Sequence, residues 1–205
     1  MLTRSSASSK LIAIKSGDGW VIYCNTYARE EDWLEFMRRL RTETEASLSI
    51  CDGLDMLDTL DYKVFEDREL FDDASTATIR EHFKDWTETA SYEEQGTGPA
   101  GFQRYQLCIQ VDSEALDSIL YDMSFPPRAS SIGKHWVKLI WRNWTFEASD
   151  WYRDGPDDPV EGLTVHEVGW SRVALELVMV STYAGIRDSL DWDREYRRPP
   201  RVILL

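Results

Sequence analysis

The chain has 205 residues, 42% hydrophobic and 29% charged, which fits one globular domain with its own core. That composition excludes a collagen, a coiled coil and a wholly disordered chain, and no apolar run approaches the roughly 18 residues that span a bilayer. The formal net charge is −14, and three widely spaced cysteines (Cys24, Cys51, Cys108) fit neither a disulfide framework nor a zinc site, so a reducing, cytoplasmic setting is expected.

Residues 1–17 are Ser-rich and polar, and read as a disordered leader without a signal-peptide core. Residues 20–27 (WVIYCNTY) are β-branched and aromatic, which predicts a strand. Residues 29–45 predict a helix. Trp33, Phe36, Met37 and Leu40 make its apolar stripe, and Glu30, Glu31 and Asp32 in the first turn complement the dipole. Residues 54–60 predict a short helix, and 60–66 (LDYKVFE) an alternating strand. Asp72, Asp73 and Ser75 are candidate N-caps for a helix carrying Ile79, His82, Phe83 and Trp86. Three glycines and a proline make 90–103 a loop.

Residues 104–111 alternate clearly and predict a strand. Asp112 or Ser113 then caps a helix with Ala115, Leu116, Ile119 and Leu120 on one stripe, ended by Pro126 and Pro127. Residues 136–144 (WVKLIWRNW) predict a strand, followed by an acidic loop with Gly155, Pro156 and Pro159. Residues 171–177 alternate as a further strand. Met179, Tyr183, Ile186 and Leu190 give the last helical stripe. The organisation expected is a leader (1–17), one α+β domain (18–196) and a basic tail (197–205). The order suggests a ferredoxin-like antiparallel sheet with helices on one face. A doubly wound parallel sheet is the alternative, although it would want more continuously apolar strands.

The charge is local. Residues 52–73 hold nine acids against Lys63 and Arg68, and residues 147–167 hold seven against Arg153. The remainder is nearly neutral and contains two basic clusters, Arg38/Arg39/Arg41 and Arg194/Arg197/Arg198/Arg201. Solvated helix ends explain such clusters. An RNA backbone site at Arg197, Arg198 and Arg201 is the sharper alternative.

Strand parity divides the sheet into an apolar face and a mixed one. Leu107, Ile109, Val111, Val137, Leu139 and Trp141 fall on the apolar face. The mixed face takes Gln106, Gln110, Trp136, Lys138, Arg142 and Trp144, joined by Tyr23, Asn25, Tyr27, Arg172 and Glu176. Cations, amides and aromatics together suit a small polar ligand. The plainer reading is a face in water, or one covered by the long loops or by a second copy in a homodimer.

Dinucleotide, P-loop, nucleophile-elbow and zinc motifs are absent, so no cofactor or metal is expected. His82 lies on an apolar stripe as a core histidine, and His135 opens a strand at the surface. His166, beside Glu167 and Trp170, is the candidate general acid or base. Trp136 and Trp144 are candidate ligand stackers. Cys24 and Cys108 sit on strands as inert thiols.

The segments GWVIYCNTY, EEDWLEFM, REHFKDW, RYQLCIQVD, WVKLIWRNW, VGWSRV and EYRRPP run from Gly19 to Pro200. On them the chain resembles a family of small fungal proteins. These are packing-type motifs, and none names a reaction. Fungal proteins of this kind include the arginine-containing cyclodipeptide synthases, which join two amino acids taken from aminoacyl-tRNA. The chain is similar to that class in size and type rather than through a motif. The resemblance implies a secondary-metabolism transferase acting on aminoacyl-tRNA and an amino-acid-like substrate. Tyr23, Tyr27 or His166 would relay a proton and Lys138 or Arg142 would stabilise an oxyanion. Trp136, Trp144, Asn25, Gln106, Gln110 and Glu176 would line the substrate. A non-catalytic ligand-binding or interaction module using the same face is the competing reading.

Overall fold

The computed structural model describes residues 18–100, 102–121, 132–147 and 157–205. The expected leader, Pro126, Pro127, Gly155 and Pro156 lie outside them. Strand β1, Val21–Cys24, is buried along its whole length. It stops short of the expected residue 27: the Asn25 N–H still donates to the Val111 carbonyl at 3.0 Å, while its side-chain amide turns to the Phe71 and Ala74 carbonyls.

Helix α1, Glu30–Ile50, buries Trp33, Phe36, Leu40 and Leu48. Arg29 supplies no side-chain cap, so the three acids of the first turn answer its exposed N–H groups. A 3-10 turn, Leu54–Thr59, leads to β2, Lys63–Phe65, and a short helix α2, Arg68–Phe71. Ser75 caps α3, Thr76–Gln95, by accepting from the Thr78 N–H at 3.1 Å. Gly96, at φ +70°, ends α3 in the left-handed conformation that glycine adopts without strain. Strand β3, Leu107–Val111, precedes α4, Ser113–Leu120, whose cap is Asp112 (Ala115 N–H at 2.9 Å). Strands β4, Trp136–Trp141, and β5, Trp170–Ala174, complete the middle of the sheet.

The strand expected to reach residue 177 ends at Ala174 in a 3-10 turn (Leu175–Leu177). The expected single helix after it is interrupted: a π-helical segment (Val178–Tyr183) precedes a separate helix α5, Ser189–Glu195. The apolar period was continuous across a real break, because Asp188 caps a fresh helix by accepting from the Asp191 N–H. Leu190, on the expected stripe, is exposed. Val202–Ile203, in the stretch read as a tail, forms β6.

The sheet order is β2-β1-β3-β4-β5-β6. Strand β1 pairs in parallel with both β2 and β3, β4 runs antiparallel to β3 and β5, and β6 is parallel to β5. The fold is thus mixed α+β, and the antiparallel, one-faced sheet of the ferredoxin-like expectation is corrected on two counts. The sheet is mixed, and it is covered on both faces. Ile22, Ile109, Leu139 and Val173 pack with α1 in one cluster. Val21, Tyr23, Cys108, Ile140 and Trp170 pack with Ile79 and Phe83 of α3 in another.

The chain leaves β1 over one face to β2, then returns over the other face, past β1, to β3. Opposite direction on the opposite face gives both crossovers the same hand. The β2-β1-β3 half is therefore doubly wound, as the alternative reading had it. Alternation within residues 104–111 records two buried faces of different polarity. The mixed face is polar because it is hydrogen-bonded to α3, and not because it faces water.

Candidate functional site

The ladder places Tyr23, Gln110, Lys138 and Arg172 side by side in one row on the α3 face. The parity reading assigned these four to one face, and they share it. What parity did not give is their partners. Gln110 donates to Asn25 Oδ1 at 2.6 Å and accepts from the Thr76 hydroxyl at 3.0 Å. Lys138 Nζ lies 2.7 Å from Glu161, 2.9 Å from Asp112 and 4.3 Å above the Trp170 ring. Burial works against its charge, but the two carboxylates outweigh burial and raise its pKa. Lys138 is thus a fixed cation.

Tyr23 Oη bonds His82 Nδ1 at 2.9 Å within a box made by Phe65 and Phe71. Burial pushes the tyrosine hydroxyl far up and the imidazole down, so this pair stays neutral. Arg80 reaches from α3 to the Trp141 and Gly169 carbonyls at 3.1 and 3.0 Å, and its guanidinium lies 4.7 Å from the Trp144 ring. The Trp144 N–H is engaged by the Glu167 carbonyl. Arg172 covers the Trp136 ring at 3.9 Å. Glu176 accepts from the Gly133 N–H at 3.1 Å. His135, expected at the surface, is instead fully buried, since the chain enters β4 beneath the Leu175 backbone.

Three clefts collect the remaining candidates. In one, of about 290 Å³, His166 Nδ1 lies 3.4 Å from Asp157 and Arg201 joins the lining. Arg198 lines it too, but its guanidinium holds the Asp158, Leu163 and His166 carbonyls. Arg197 likewise turns to the Arg194 and Tyr196 carbonyls. A second cleft, of about 610 Å³, contains Gln106 and Arg142.

The third lies at the carboxyl ends of β1 and β2. It measures about 290 Å³ and is lined by Cys24, Thr26, Tyr27, Arg29, Glu30, Trp33, Glu66 and Arg68. Ligands in open α/β sheets bind outside the carboxyl ends of parallel strands, where successive crossovers diverge to opposite faces. Trp33 Nε1 donates to Glu66 Oε1 at 2.5 Å and orients that carboxylate. Arg68 donates to the Tyr27 carbonyl at 2.8 Å and covers the Tyr27 ring at 5.6 Å. Arg29 pairs with Asp32 at 2.6 Å. Burial pushes the Cys24 thiol up to about 11, and it also raises the Tyr27 hydroxyl. Neither group ionises at neutral pH.

The expected site residues therefore divide. Asn25, Gln110 and Lys138 meet in a closed polar cluster, Tyr27 lines the β1–β2 cleft, and the others sit elsewhere. Sequence reading missed Trp33, Glu66, Arg29 and Arg68. Trp33 was read only as core, and only the parallel pairing of β1 with β2 brings Glu66 to it. Among the described residues no group of three His, Cys, Asp or Glu side chains could hold a metal ion, and no helix is long and apolar enough to cross a membrane. No family model, curated protein or solved structure matches the chain.

Proposed function

We propose that the β1–β2 cleft takes a cationic, amino-acid-like ligand. We further propose that the chain is a small fungal transferase forming an arginine-containing cyclic dipeptide from aminoacyl-tRNA in the cytoplasm. The observation that carries this reading is the lining of that cleft. Two carboxylates, Glu30 and Glu66, share that lining with two aromatic side chains, Tyr27 and Trp33, and with Arg29 and Arg68. A guanidinium seeks a carboxylate and an aromatic face. The ester end of the same molecule seeks donors, which the two arginines supply.

The chemistry asks little of the protein, because an aminoacyl ester is already activated. The α-amine of one aminoacyl group attacks the ester carbonyl of the other. A C–N bond forms, the C–O bond to the tRNA ribose breaks, and the amine proton passes to the leaving hydroxyl. A second such attack closes the ring. In this reading Arg68 stabilises the oxyanion and Glu66 holds the cationic side chain. Tyr27 is the one expected catalytic residue on this lining.

A second reading, binding without turnover, is favoured by one observation. Cys24 and Tyr27, a thiol and a phenol on the cleft lining, are both held in their neutral forms.

Calorimetric titration with L-arginine methyl ester tests the cleft, and Glu66→Gln should weaken binding about tenfold, the scale of one charge-assisted hydrogen bond. Expression in a microbial host with untargeted mass spectrometry tests the reaction. A new arginine-containing cyclic dipeptide, lost in Glu66→Gln, supports the transferase. Binding without product supports the second reading. No binding of the ester and no product would overturn both.

A further inference from the structure

At the opposite end of the sheet, where β3 begins and β4 ends, the cleft of about 610 Å³ lies between loop 98–100 and residues 187–189. Its floor is a polarised chain of hydrogen bonds. Arg142 Nη1 donates to Asn143 Oδ1 at 2.9 Å, Asn143 Nδ2 donates to Gln106 Oε1 at 2.9 Å, and Gln106 Nε2 donates to the Pro99 carbonyl at 2.7 Å. A guanidinium can only donate and a carbonyl can only accept, so both amide orientations are fixed from the two ends of the chain.

That direction has a consequence for the lining. The side-chain oxygens of Asn143 and Gln106 and the Pro99 carbonyl already accept a bond. Asp188 is turned away to cap α5 through the Asp191 N–H at 3.0 Å. The donors are in excess. Each amide keeps a second N–H. The Arg142 guanidinium keeps N–H groups beyond those that meet Asn143, Thr87 and Glu88. Arg187 is exposed, and its Nε donates to Asp191 at 3.3 Å. The Trp141 ring, only 6% exposed, stacks on Trp192 at 5.7 Å and joins the lining at this edge of the sheet. Gln106 and Arg142 are themselves more than nine-tenths buried, so these donors are held in place before any ligand arrives.

We infer that this cleft binds a small metabolite through an oxyanion, a carboxylate or a phosphate, held by the free N–H groups of Gln106, Arg142, Asn143 and Arg187. Glu88 beside Arg142 and Asp191 beside Arg187 balance the local charge. Recognition therefore depends on the direction of the hydrogen bonds rather than on a basic patch, consistent with the acidic chain around it. The site is separate from the β1–β2 cleft and does not depend on the reading of that cleft.

Titration of the ¹⁵N-labelled full chain, separately with inorganic phosphate and with succinate, tests the inference. The reporter is the Trp141 indole N–H resonance, assigned through Trp141→Phe. A saturable shift is expected with at least one of the two. Arg187→Ala, a change at an exposed side chain, should weaken it about tenfold, the scale of one charged hydrogen bond. A shift with phosphate alone assigns a phosphate ligand, and a shift with succinate alone assigns a carboxylate. Absence of a saturable shift with both, or a shift of unchanged affinity in both Arg187→Ala and Asn143→Ala, would overturn the inference.

Discussion

Gly169 enters β5 with φ +75°, directly under the Arg80 and Trp144 pair. A Cβ built there would lie 2.6 Å from Arg80 Nη2 and closer still to Trp144 Cγ. Gly169→Ala therefore meets three separate costs. The left-handed backbone costs about 1–2 kcal/mol for a residue with a Cβ. Displacing packed side chains adds about 1–3 kcal/mol. Moving Arg80 weakens its bond to the Gly169 carbonyl, and a bond to a charged donor is worth about 1.5–3 kcal/mol. These terms overlap, so a loss of about 4 kcal/mol is expected. For a chain of this size that lowers Tm by about 8–16 °C. Gly162 provides the control, because it also has a positive φ, +81°, but nothing stands within 4 Å of its Cβ position. Gly162→Ala should cost only the backbone term, about 1–2 kcal/mol. Urea unfolding followed by tryptophan fluorescence measures both variants. If they lose the same stability to within about 0.5 kcal/mol, the steric argument about Arg80 and Trp144 is wrong.

Two further outcomes follow from buried groups. Glu43 on α1 is 8% exposed, and burial, then the nearby Glu176 carboxylate, raises its pKa. A raised carboxyl contributes stability while protonated and loses it as pH rises through the folded value. Glu43→Gln should thus raise the urea midpoint at about pH 8 and change it little at about pH 4, and the opposite pH order would refute the assignment. Arg198 ties the 157–168 loop down through the carbonyls of Asp158, Val165 and their neighbours. Arg198→Ala should speed amide exchange in that loop about tenfold or more and leave β3 and β4 protected; uniform acceleration across the chain would count against a local latch.

Sequence periodicity carried much of the local structure. The stripe Trp33, Phe36 and Leu40 gave α1, and Ser75 and Asp112 cap α3 and α4 as their side chains allow. Strand parity placed Tyr23, Gln110 and Lys138 on one face. These features are legible because they depend on residues a few positions apart. The candidate clefts were not legible in the same way. Trp33 and Glu66, which meet at 2.5 Å, are 33 residues apart in sequence, and the chain of bonds from Arg142 to Pro99 spans three loops and strand ends.

The sequence by itself determined which side of each helix and strand is apolar, since that is written in local spacing. Only the tertiary structure decided the strand order, the pairing of β1 between two parallel neighbours and the covering of the polar face by α3. A polar side chain satisfied by a buried partner and one satisfied by water have the same spacing along the chain. The long-range fold alone supplies the partner, and with it the difference between a wet surface and a closed hydrogen-bonded layer.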